Sequence, residues 1–231
     1  DEVLLKCMRD IMCSSSIHRK NEVEESLIIL KKSKESYQRI AERNILLNSE
    51  AIKEDISLEL ASKVLYSKEE YQARGISELL YDQEELNKEQ LLTAADSINS
   101  SNSERQVKFI GKLTKDEYYK DTGLLMPTLR IIDGVKHDFQ LDYIKRTVGI
   151  CKEPFILLPS LKMYTETNSR EECEKLQSDL SKVKKEDIIS SLDSDLSLLS
   201  AAKSKRKNNI IKRLDCFFDT NVSSIYNGNL H

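Results

Sequence analysis

Tryptophan is absent from the chain, proline occurs three times and glycine six times in 231 residues. So few turn-formers leave little room for a multi-stranded β fold. Phosphate-cradling loops are excluded more directly, because neither the GxGxxG pattern nor a P-loop occurs. An excess of one charge is missing too: 36 Lys+Arg stand against 39 Asp+Glu, a formal net charge of -3. That balance excludes a whole-surface field able to condense the protein onto nucleic acid or an anionic membrane. Long hydrophobic runs are also lacking. The longest strongly apolar stretch, Phe155 to Leu161, contains Pro159 and falls far short of the ~20 residues that span a bilayer. No membrane partner is expected. The first residues, Asp1 to Cys7, carry acid where a signal peptide carries base.

The five cysteines (Cys7, Cys13, Cys151, Cys173, Cys216) are odd in number and widely scattered. They suit free thiols in a reducing compartment better than a disulfide framework, so an intracellular location is expected. Two glycosylation triplets, Asn99-Ser100-Ser101 and Asn221-Val222-Ser223, are patterns common by chance.

What is abundant is charge, at 32% of residues, interleaved with regularly spaced leucine and isoleucine. The expected fold is mainly α: long amphipathic, coiled-coil-like helices flanking a small α/β module. Residues 1–98 form the helical arm, in which Leu58, Leu65, Leu79 and Leu86 share one seven-residue register with Gln72 in the missing place. Such spacing builds one helical stripe, the seam that a partner helix covers. Lys68 and Arg74-Gly75 interrupt the register, and a break or change of partner near 66–76 is expected. Residues 99–104 (Asn99 to Glu104) read as a polar linker.

Residues 105–165 hold all three prolines and four of the six glycines. Val107 to Ile110 and Leu129 to Ile132 read as strands, with Asp133-Gly134 as a turn, and Thr114 with Glu117 as a helix start. These make the α/β module. Residues 169–199 return to helix, opened by the Ser169/Glu172 capping pattern and carrying Cys173, Leu176, Leu180 and Val183 at spacings of three and four. Residues 200–231 are a basic segment and tail. No internal repeat of 20–50 residues is found.

Chemistry-bearing constellations are sparse. His137-Asp138 imitates a base with its carboxylate, yet neighbours on a strand face opposite ways. Cys7 and Cys13 lack the second pair that zinc requires. No catalytic residue, metal site or cofactor is expected. The expected function is that of a non-enzymatic structural or scaffold subunit of an intracellular multiprotein assembly. Its partner-helix interface would comprise Leu58, Leu65, Leu79, Leu86, Leu176, Leu180 and Val183. An alternative assigns nucleic-acid association to Lys203, Lys205, Arg206, Lys207, Lys212 and Arg213, which could contact phosphates or act as a nuclear localisation patch.

Overall fold

The computed structural model of the protein describes residues 1–14, 20–48, 54–80, 86–151 and 154–180. Among the described residues there are helices and no strand. In chain order these are α1 (Glu2–Met12), α2 (Lys20–Lys32), α3 (Ser36–Leu47), α4 (Glu54–Val64), α5 (Glu70–Glu78), α6 (Lys88–Asn99), α7 (Glu104–Leu113), α8 (Glu117–Asp121), α9 (Leu125–Ile132), α10 (Asp138–Ile150), α11 (Pro154–Glu166) and α12 (Arg170–Leu180). The chain divides into two compact units, residues 1–146 and residues 147–231.

Pairing in the first unit is regular. α1 packs on α2, α3 on α4, α5 on α6 and α7 on α9, closing hairpins. The first helices α1, α3, α5 and α7 then touch in series, as do the second helices α2, α4, α6 and α9. The first helices begin at Glu2, Ser36, Glu70, Glu104 and Asp138, a constant step of 34 residues. The same step relates Leu30, Val64, Ile98 and Ile132, near the ends of the second helices, which are 0%, 0%, 1% and 0% exposed. The chain therefore does contain an internal repeat, a helix hairpin stacked on copies of itself, which is how helical solenoids bury a continuous core.

A recurring glutamine fastens the hairpins that follow the first one. Gln38, Gln72, Gln106 and Gln140 occupy the third position of α3, α5, α7 and α10 and are all buried. The first N–H groups of a helix have no partner within it. Here the side-chain oxygen of Gln38 accepts from the Lys34 and Glu35 N–H groups at 3.0 and 3.1 Å. That of Gln72 accepts from Lys68 and Glu69 at 2.7 and 3.1 Å. Gln106 accepts from Asn102 at 3.1 Å, and Gln140 from Lys136 and His137 at 2.8 and 3.0 Å. The amide nitrogen reaches the far end of the hairpin. Gln38 donates to the Leu65 and Ser67 carbonyls at 3.3 and 2.9 Å. Gln72 donates to Asn99 and Ser101 at 3.1 and 3.0 Å, and Gln106 to Ile132 at 3.0 Å. One side chain thus satisfies backbone groups that burial would otherwise leave unpaired.

Glycine matters at one packing point. A Cβ at Gly75 in α5 would lie 2.4 Å from Cγ1 of Val107 in α7, so only glycine lets these helices approach so closely.

Several sequence expectations are corrected. Among the described residues of 105–165 no strand and so no α/β module occurs: Val107 to Ile110 lies inside α7 and Leu129 to Ile132 inside α9. Val107, Ile110 and Leu113 are buried at helical spacing, as are Leu129 and Ile132, and this packing overrides their strand-like look. Asp133-Gly134 joins two helices instead of two strands, and Asp116, not Thr114, caps α8. Of the expected linker 99–104, Asn99 ends α6 and Glu104 opens α7, and residues 100–103 connect the stacked hairpins, where Ser103 caps α7.

In the second unit α11 packs on α12. The expected capping pattern is present there: the Ser169 hydroxyl accepts from the Glu172 N–H at 3.2 Å, and the Glu172 carboxylate from the Asn168 N–H at 2.9 Å. No helix among the described residues is long and apolar enough to cross a membrane.

Candidate functional site

Stacking first helices side by side leaves a groove between α5 and α7, reaching Lys145 on α10 and enclosing about 620 Å³. Its floor is apolar, made by Leu79, Ile98 and Val107, with Tyr71 at one side. Its walls are cationic. Arg74, Arg105, Lys108, Lys112, Lys115 and Lys145 line it against only two carboxylates, Glu78 and Glu104.

Those cations are not equivalent. Glu104 holds Arg74 at 2.5 Å and Lys108 at 3.0 Å, and these two partners, Lys108 first, keep its carboxyl below the usual range. Arg105 reaches across to α10, pairing with Asp142 at 2.6 Å and Asp138 at 3.3 Å. Lys112 and Lys145 form no ion pair among the described residues. Lys145 is half-buried, its ammonium 5.5 Å from the centroid of the Phe109 ring. Burial pushes its pKa down, and the positive charges of Arg105 and Lys112 add to that, against the opposing pull of Asp142 and Asp138. A cation crowded in this way gains from an incoming anion.

Gly111 also faces the groove. A Cβ there would meet nothing within 4 Å, so no packing demand explains the glycine and the helix surface beside it is open.

A second unusual group lies away from the groove. Glu42 in α3 is fully buried, and both its carboxyl oxygens sit close to the Ser33 hydroxyl, at 2.5 and 2.6 Å. Burial raises its pKa to about 8, outweighing the Ser33 hydrogen bond and the charge of Arg39.

The sequence-predicted site residues are dispersed by the fold. Leu58 lies in α4 and is half-buried, Leu65 is half-buried just past its end, Leu79 is buried at the end of α5, and Leu86 precedes α6. Their common register therefore runs across helix ends instead of along one helix. Leu79 is the only one of the four on the groove floor. Leu176 and Cys173 are buried in α12. The side chain of Leu180, Val183 and the basic set Lys203, Lys205, Arg206, Lys207, Lys212 and Arg213 lie outside the described residues. His137 precedes α10 and stacks on Phe139, with 5.2 Å between ring centroids. Asp138 is taken up by Arg105 and the Ser103 hydroxyl. Cys7 and Cys173 are buried free thiols whose pKa burial pushes up. No cluster of metal-ligating side chains occurs among the described residues.

The groove residues escaped sequence reasoning because they come from four helices, and because the cations Arg105, Lys108, Lys112 and Lys115, which recur at spacings of three and four along and just past α7, lie in a stretch read as part of an α/β module. Comparison with protein-family models, with curated proteins and with solved structures finds no match to this chain.

Proposed function

We propose that the protein is a non-enzymatic scaffold subunit of an intracellular multiprotein assembly, holding a partner subunit against the face formed by α5, α7 and α10. The single observation that supports this is the groove itself: a repeated hairpin stack carrying an apolar floor walled by cations, two of them without ion pairs. Stacked helix hairpins offer extended side-chain surfaces of the kind that protein ligands use. Fixed glutamine fasteners keep that surface preformed, which lowers the ordering cost of binding. A further contact is proposed through Leu176, Leu180 and Val183, whose spacing in the sequence is coiled-coil-like.

The test is affinity capture from a lysate of the source organism, comparing the wild type with the Lys112→Glu variant. Partners captured by the wild type and lost with the variant support the reading. Identical sets, or none, contradict it. A second reading, nucleic-acid association with nuclear placement, rests on the run Lys203 to Arg213, which holds six cations and one carboxylate-free stretch from Lys203 to Arg213. Neutralising Lys205, Arg206 and Lys207 would then abolish retardation of an oligonucleotide and flatten its salt dependence.

A further inference from the structure

We infer that the groove between α5 and α7 docks an acidic peptide segment of a partner protein, seating carboxylates on Lys112 and Lys145 and one apolar side chain beside Gly111. This rests on the scaffold reading and names the chemistry that its groove selects. Charge complementarity carries the first half. The lining bears six cations and two carboxylates in a chain whose net charge is -3, so the positive field is local to this groove. Arg74, Lys108 and Arg105 are already engaged with Glu104, Asp142 and Asp138, whereas Lys112 and Lys145 form no ion pair among the described residues, and Lys145 feels Asp142 and Asp138 only at longer range.

Gly111 carries the second half. Glycine inside a helix costs roughly 1 kcal/mol against alanine. At Gly75 the cost is explained, because a Cβ would collide with Val107. At Gly111 nothing stands within 4 Å of where the Cβ would be, so the fold gains nothing from glycine there. The bare surface instead opens the groove wall to a guest side chain, next to a floor of Leu79, Ile98 and Val107.

A nucleic acid fits less well. Its continuous phosphates would meet Glu78 and Glu104 at the walls and would leave the apolar floor uncovered. A peptide can alternate carboxylates with apolar groups and so match both.

The test is selection of a phage-displayed library of random peptides on the intact chain, followed by affinity measurement for the enriched sequences. Enrichment of sequences joining Asp or Glu to Leu, Ile or Phe is expected. Lys112→Glu, Lys145→Gln and Gly111→Leu should each weaken the best of them by about tenfold or more, while the thermal transition of Gly111→Leu stays at or above the wild type. Binding should fall as salt is raised. Peptides without acidic bias, or an affinity unmoved by all three variants, would overturn the inference. So would tighter binding of a single-stranded oligonucleotide that the same variants abolish. Failure here with partners still lost on Lys112→Glu in lysate capture would remove the acidic-peptide chemistry and leave the scaffold reading standing.

Discussion

The side-chain amide of Gln72 donates to the carbonyl oxygen of Ser101 at 3.0 Å, bridging 29 residues of sequence. Its oxygen meanwhile accepts from Lys68 and Glu69, so a single buried side chain joins the start of α5 to the junction between α6 and α7. Gln72→Ala strands part-buried backbone donors at the start of α5 and carbonyl acceptors at the α6–α7 junction. A loss of roughly 2–4 kcal/mol in urea unfolding is expected. Gln72→Glu should not rescue it, because a second carboxylate oxygen would face the Asn99 and Ser101 carbonyls where a donor is needed.

Close packing at Gly75 gives a second test. Gly75→Ala should cost about 1–3 kcal/mol by overpacking against Val107. Adding Val107→Ala should recover part of that loss, and a double-mutant cycle measures the coupling. Gly111→Ala, with open space at its Cβ, should instead stabilise by roughly 0.5–1 kcal/mol.

Buried Glu42 makes stability pH-dependent with a defined sign. Its folded pKa is raised to about 8, above the ~4.3 of an unfolded glutamate, so the folded chain binds the proton more tightly. This contribution is fully present below pH ~4 and is lost progressively as pH rises through 8. Glu42→Gln keeps a neutral group beside Ser33. Unfolding measured from pH ~4 to ~8 should therefore show the wild type losing a few kcal/mol relative to the variant.

Exposed ion pairs should matter far less. Arg105 is half exposed, although it pairs with both Asp138 and Asp142. Arg105→Gln should lower stability far less than Gln72→Ala does in the same urea unfolding measurement.

Helical character was legible, because scarce glycine and proline leave few places to turn. The Ser169/Glu172 cap was legible from its spacing, whereas the break expected near 66–76 falls between Val64 and Glu70, and Arg74-Gly75, read as interrupting the register, lies inside α5. Val107 to Ile110 and Leu129 to Ile132 were not, since a short apolar run reads alike as a strand or a buried helix turn. The repeat hides because its matched positions differ in size: Cys7, Ala41, Gly75, Phe109 and Tyr143 are spaced by 34 residues yet share no side-chain shape. Gln38, Gln72, Gln106 and Gln140 were the available signal, polar residues that a search for leucine rows passes over. The groove is complete only after folding, which brings Arg74 and Lys145 from other helices to the row Arg105, Lys108, Lys112 and Lys115 that the sequence already spaces by threes and fours.

Hydrogen–deuterium exchange on the Gln72→Ala variant tests the interlocked hairpin stack most directly. Backbone amides at Lys68 and Glu69 should lose protection, and so should those of Ser100 and Ser101, on the other side of the fastener. Faster exchange confined to the start of α5, with the α6–α7 junction unchanged, would contradict it.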